Sequence, residues 1–186
     1  MENACQIKSG GVKFRDFRFC NCGYEESDAG QGFGPAVKNH YVLYYVLSGS
    51  GVFGTDDRQY TVTRGEAFLI CPDERAYYRA DADDPWSYLW VGFDGDMAEE
   101  YLREMKLLGV KKPVFRIRNG FALKQIVTEM LKCNHSGLDN EFALQGLFCR
   151  FFSVISAEVT GRGKKAEESG RLNYFIKKGI ACMPVT

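Results

Sequence analysis

A chain of 186 residues holds one compact domain with a real core, or one domain and an appendage, but not two full domains. Its 24 basic and 24 acidic side chains cancel, so no global field draws it onto a nucleic-acid backbone. Seven cysteines, an odd number, follow an N-terminus, "MENACQIKSGGVKFRDF", without an apolar signal segment; this predicts a reduced, cytoplasmic protein with no disulfide framework, and no apolar run reaches the length of a membrane span.

The first half predicts short strands separated by turns, the pattern of a sandwich or barrel. "FRDFRF" supplies β-forming aromatics, and "CGYEESDAGQGFGP" predicts a loop rich in glycine. "YVLYYVL" is continuously apolar and aromatic, which predicts a strand buried on both faces and ended by "SGSG". "RQYTVT" alternates, "RG" turns, and "EAFLICP" predicts another buried strand; "AYYRAD" and "WSYLWVGF" follow, joined by the acidic turn "DADDP".

After Gly95 the hydrophobic period lengthens to about 3.6 residues. Asp96 and Glu99 have the spacing of a capping box ahead of a stripe of Met97, Tyr101, Leu102, Met105 and Leu108, with Gly109 as the stop. "KKPVFRI" predicts an extended connector able to add an edge strand, and "FALKQIVTEMLKC" a second helix facing inward with Ile126, Val127, Met130 and Leu131. A third helix is expected over 138 to 159. Its Leu144, Leu147, Phe148, Phe151, Phe152 and Ile155 belong to an apolar set too wide for a single core face, which predicts packing on another helix or a second subunit. Residues 161 to 170, "GRGKKAEESG", predict a linker, and "LNYFIKKGIAC" a short amphipathic piece beyond it.

Taken together, "FGP" at 33 to 35, "YVLYYVLSGSGVF" at 41 to 53, "RGEAFLICPDERAYYRAD" at 64 to 81 and "DPWSYLWVGFDG" at 84 to 95 resemble the N-terminal effector-binding domain of AraC-type transcription regulators. The resemblance implies a mainly β fold with appended helices: a cupin-type barrel over residues 1 to 95 and a helical region over 96 to 160 that pairs subunits. Residues 171 to 186 resemble the start of the family's DNA-reading domain, cut short. DNA would then be a partner only through a C-terminal domain, and the direct partners are a small-molecule effector and a second copy of the chain.

Many cupins are metalloenzymes, so the alternative is a metal-dependent enzyme acting on a sugar. Laid on Gly34 to Leu47, the cupin ligand pattern finds His40 at its first position but Val42 at its second, and the later histidine position falls on Tyr77. One nitrogen donor does not make an iron, manganese or zinc site, so neither metal nor other cofactor is expected. No motif ties a serine or cysteine nucleophile to His40, and no catalytic residue is expected.

Alternation along "WSYLWVGF" puts Trp86, Tyr88 and Trp90 on one face and Leu89, Val91 and Phe93 on the other. Indole and phenol groups need a hydrogen-bond partner when buried, which suits a ligand wall, and sugars offer both C–H faces and hydroxyls. Trp86, after Pro85, fits a turn anchor equally well. Only one of Tyr77 and Tyr78 can enter the barrel, and the family resemblance favours Tyr78. Lys38 and Arg79 suit a carboxylate or phosphate, and His40 completes the candidate ligand-binding set.

Overall fold

The computed structural model describes residues 4–8, 14–109 and 113–161; the linker and the DNA-domain remnant expected at the C-terminal end lie outside them, apart from Gly161. β1 (Ala4–Lys8) pairs with β2 (Arg18–Glu26), and β3 (Gly32–Val37) follows. Next come β4 (Tyr41–Ser48), β5 (Ser50–Thr55), β6 (Gln59–Thr63), β7 (Glu66–Ile70), β8 (Arg75–Ala80) and β9 (Ser87–Asp94). The helical part consists of α1 (Ala98–Glu104), α2 (Gly120–Lys132) and α3 (Leu138–Val159), with the short edge strand β10 (Val114–Arg116) between α1 and α2.

The strands form two antiparallel sheets, one ordered β1-β2-β9-β4-β7-β10 and the other β3-β8-β5-β6. Their facing sides enclose one core, in which Tyr44, Phe68, Trp86 and Tyr88 of the larger sheet's side meet Phe53 and Tyr78 of the smaller. Behind the larger sheet, Leu43, Leu89, Val91 and Phe93 pack against the helices in a second core. β4 accordingly reads as an unbroken apolar run, because Val42, Tyr44 and Val46 face one core while Leu43 and Tyr45 face the other. The result is the mainly β barrel with appended helices expected from the sequence.

Several elements differ from expectation. The stretch read as a loop from 22 to 35 contains the second half of β2 and the start of β3. Its polar and glycine residues are compatible with strands because β2 is held between β1 and β9 while one of its faces is wet. β5 begins at Ser50, so the turn after β4 is little more than Gly49, whose φ of 68° suits the reversal. No capping box forms at α1: Met97 is the N-cap, with no side-chain cap bond, and the Asp96 N–H donates to the Arg15 carbonyl instead. That helix stops at Glu104, short of Gly109, and Tyr101 of the anticipated stripe is exposed.

The largest correction concerns α3. Leu144, Phe148, Phe151, Phe152 and Ile155 are buried within the chain, and Leu147 is half-buried. Phe17 packs between them, tilted against Phe148 at 4.7 Å and edge-on to Phe152 at 4.8 Å between ring centroids, and Phe93 of β9 lies 4.7 Å from Phe152. The apolar excess read as an intersubunit face is thus covered from both sides by α2, β2 and the segment ahead of β2. Gln145, polar within the stripe, donates to the Phe17 carbonyl at 2.6 Å and accepts from the Phe19 N–H at 3.2 Å, pinning α3 to the entry of β2. Helix α3 is in fact long and apolar enough by composition to cross a membrane, contrary to the sequence reading; Leu144, Phe148, Phe151, Phe152 and Ile155 are taken up by this packing, while Leu138 and Phe142 are exposed. Phe14, Phe17 and Phe19 all lie on this helical side; Phe14 contacts Phe142.

Candidate functional site

At one end of the space between the sheets lies an open cavity of about 420 Å³. Each wall follows from period-two alternation. β9 turns Tyr88 and Trp90 into it, and β2 turns Asn21 and Glu25; Tyr44 and Val42 come from β4 and Tyr78 from β8. Lys38 and His40, in the connection from β3 to β4, stand at the mouth with Gln6 and Lys8 of β1. Gly23, paired with Trp90 across the β2–β9 ladder, has no room for a Cβ because the indole ring lies over it. Any larger residue there would push the indole off the wall.

A chain of hydrogen bonds fixes the polar side of this wall. The Trp90 Nε1–H donates to Asn21 Oδ1 at 3.2 Å, and Asn21 Nδ2 lies 2.9 Å from His40 Nε2. Indole nitrogen only donates, so Asn21 must present its oxygen to Trp90 and its amide N–H to His40. His40 Nε2 is therefore an acceptor, and Nδ1 carries the proton that it donates to Asn39 Oδ1 at 2.7 Å. The ring is neutral, in keeping with a pKa held below the ordinary value by burial and by the neighbouring Lys38 charge, against a smaller opposing pull from Asp94.

The inner end is phenolic. Tyr44 donates a long bond of 3.4 Å to the Tyr78 hydroxyl, and Tyr88 is hydrogen-bonded to both Tyr78 and Glu25. Burial raises the pKa of all three phenols, so they remain neutral donors and acceptors at physiological pH. Glu25 also accepts from Gln31 Nε2 at 2.7 Å. Indole, phenol, amide, imidazole and both signs of charge thus border one volume, a combination suited to gripping a small polar molecule with apolar faces.

Of the residues predicted for a ligand site, Tyr78, Tyr88, Trp90, His40 and Lys38 come together here. Trp86 does not: it is 1% exposed, deeper in the barrel core, with its ring stacked on Phe68 at 6.1 Å and no partner for Nε1 among the described residues. Arg79 lies on the opposite face of β8 from Tyr78 and is exposed on the outside of the barrel, as alternation requires. Tyr77 also points outward and donates to Gln59 at 3.0 Å. Asn21, Glu25 and Tyr44 were missed: Glu25 sat in the stretch read as loop, Asn21 stood just ahead of it, and Tyr44 was hidden in an unbroken apolar run. Among the described residues no three histidine, cysteine or acidic side chains gather as a cation site. Both nitrogens of His40, the one residue at a metal-ligand position, are engaged by Asn21 and Asn39.

Residues 21–152 match the family model of the AraC-like ligand binding domain, a span that includes most of the cavity and all three helices to Phe152. The chain belongs to the AraC-like ligand binding domain family. Curated relatives of this AraC-like domain include regulators of the raffinose and lactose operons. The Msm operon regulatory protein of Streptococcus mutans is 36% identical over 85 residues, covering 46% of this chain and 31% of its own. The raffinose operon transcriptional regulatory protein of Pediococcus pentosaceus is 30% identical over 122 residues, 64% of this chain and 44% of its own. The lactose operon transcription activator of Staphylococcus xylosus is 26% identical over 156 residues, 76% of this chain and 55% of its own. The AraC-like domain therefore spans about a third to a half of the length of these relatives. Among solved structures, a Cupin 2 conserved barrel domain protein from Salinispora arenicola is similar over 54% of this chain and 82% of its own, with a TM-score of 0.41 and 14% identity.

Proposed function

We propose that this AraC-like domain is a non-catalytic sensor that binds a small sugar in the barrel cavity and thereby controls DNA binding by a C-terminal domain of the whole regulator. The observation that carries this reading is the Trp90 indole, pinned by Asn21 and lying over Gly23 at the wall of a cavity of about 420 Å³. Such a volume falls at the lower end of the roughly 300 to 1,000 Å³ typical of small-molecule sites. A flat aromatic face takes the C–H side of a pyranose, while Asn21, Glu25, Tyr78 and Tyr88 take its hydroxyls. The raffinose and lactose operon regulators among its relatives support a galactose-containing effector. In this reading the protein works in the cytoplasm as a homodimer, and pairing of α3 falls to its exposed Leu138 and Phe142, since the remaining stripe is consumed inside the chain.

The enzyme alternative draws little support from His40, whose Nε2 lone pair accepts from the Asn21 amide N–H and whose Nδ1–H donates to Asn39 Oδ1. A thermal-shift screen of neutral and charged sugars, run in parallel on the wild type and Trp90→Ala, tests the sensor. At a hundredfold excess over Kd, binding contributes about 2.7 kcal/mol, or roughly 5 to 10 °C for a domain of this size. A sugar that stabilises the wild type and not the variant supports the site; equal shifts in both proteins refute it.

A further inference from the structure

The cavity is electrically lopsided. Its one carboxylate, Glu25, is already satisfied by Gln31 at 2.7 Å and by the Tyr88 phenol. Its lysine, Lys38, is half-buried at the mouth, and among the described residues no carboxylate lies within ion-pair reach of its ammonium. The ammonium rests instead 4.3 Å from the centroid of Phe33, whose ring is stacked on Tyr78 at 5.4 Å, so the charge is held beside the inward-facing phenol. Lys8 adds a second positive charge at the rim, and His40 next to Lys38 is kept neutral by the Asn21 and Asn39 bonds. A ring quadrupole offsets the lost hydration of an ammonium only in part. Burial lowers the Lys38 pKa. A neutral sugar would leave that cation partly desolvated and without a counter-charge, whereas an anion brings the missing partner.

Resting on the sensor reading, we propose that the effector is an anionic sugar, either a sugar phosphate or a uronic acid, with its charged group at Lys38 and its ring against Trp90.

Calorimetric titration with matched probes tests this: glucose and galactose, each as the free hexose, the 6-phosphate and the uronate. The expected result is a preference on the order of tenfold or more for one anionic form over its neutral parent, shrinking as salt is raised. Lys38→Gln should abolish the preference and Lys38→Arg should keep it, with thermal unfolding of both variants confirming that they fold. The 6-phosphate and uronate arms distinguish the two anion sources. Equal affinity for neutral and anionic forms, or a preference untouched by Lys38→Gln, overturns the anion inference and leaves the sugar sensor standing. If none of the probes binds to the folded protein, the anion inference falls, and the sensor reading is decided by its own thermal-shift screen.

Discussion

Replacing Asn21 by aspartate reverses the protonation of His40, and the size of the effect follows from the geometry. In the wild type the Asn21 amide donates to His40 Nε2 at 2.9 Å, and burial together with Lys38 already holds the imidazole pKa below 6.5. An aspartate there can only accept: one oxygen still receives the Trp90 N–H, and the other faces a nitrogen that must now carry a proton. Opposite charges about 4 Å apart interact by about 4 kcal/mol at an effective dielectric constant of about 20, close to 3 pH units at about 1.4 kcal/mol per unit. His40 is half-exposed, so solvent takes part of this, and a rise of about one to three units is expected. The assay is a proton NMR titration of the ring C–H resonances, uncrowded because His135 is the only other histidine in the sequence. Stability should follow with opposite signs. In the wild type the depressed pKa means that the unfolded chain binds the proton more tightly, so the His40 contribution is lost as pH falls below about 6.5. In Asn21→Asp the raised pKa gives a contribution present below about 6.5 and lost as pH rises through the new folded value. An unchanged His40 titration in the variant would refute the hydrogen-bond directions assigned to Trp90, Asn21 and His40.

Phe148 is fully buried among Phe17, Phe19, Phe93 and Phe152, so Phe148→Ala should cost about 3 to 5 kcal/mol. Urea unfolding measures this; a variant of normal stability that merely loses self-association would restore α3 as an intersubunit face. Burial pushes the Cys22 thiol up to about 12, whereas Cys5 and Cys149 are exposed. In the native protein at pH 8, iodoacetamide should modify Cys5 and Cys149 and spare Cys22 on the same timescale, as read by peptide mass mapping. Rapid native labelling of Cys22 would contradict the packing of β2 against the helices.

The parts of the fold legible in the sequence are those where one physical signal dominates. β4 and β7 are apolar on both faces, and the bounds of α3 match the stretch expected from its 3.6-residue pattern. Alternation along β9 separates Tyr88 and Trp90 from Leu89, Val91 and Phe93 because the two faces meet different surroundings, a wet cavity and a dry helical layer. The same alternation carries no information about depth, so Trp86 shares the face of Trp90 yet ends in the packed interior. β2 was illegible for a related reason. A strand that lends Asn21, Gly23 and Glu25 to a polar cavity has the composition of a loop, since neither its hydrophobicity nor its β-propensity survives the demands of the site. The excess apolar width of α3 was correctly seen, but its partner, Phe17, stands about 130 residues earlier in the chain, a separation at which local patterning is silent.

β9 is the element through which an effector would act on the helices. Its inward side chains, Tyr88 and Trp90, border the cavity, and its outward ones, Leu89, Val91 and Phe93, sit in the helical core. A pleated strand offers little slack between its two faces, and Phe93 contacts Phe152 of α3, so in the proposed sensor an adjustment of β9 at Trp90 would be felt at the helix. A ligand shifts such an equilibrium only by as much as it prefers one arrangement of the strand over the other. Occupancy with no differential contact at Trp90 would fill the cavity and leave α3 where it was. In the proposed sensor the side chains that set the response would be those whose hydrogen bonds differ between the two arrangements, and the Trp90–Asn21–His40 chain, which links β9 to the β3–β4 connection, is the candidate that Trp90 and Asn21 variants test.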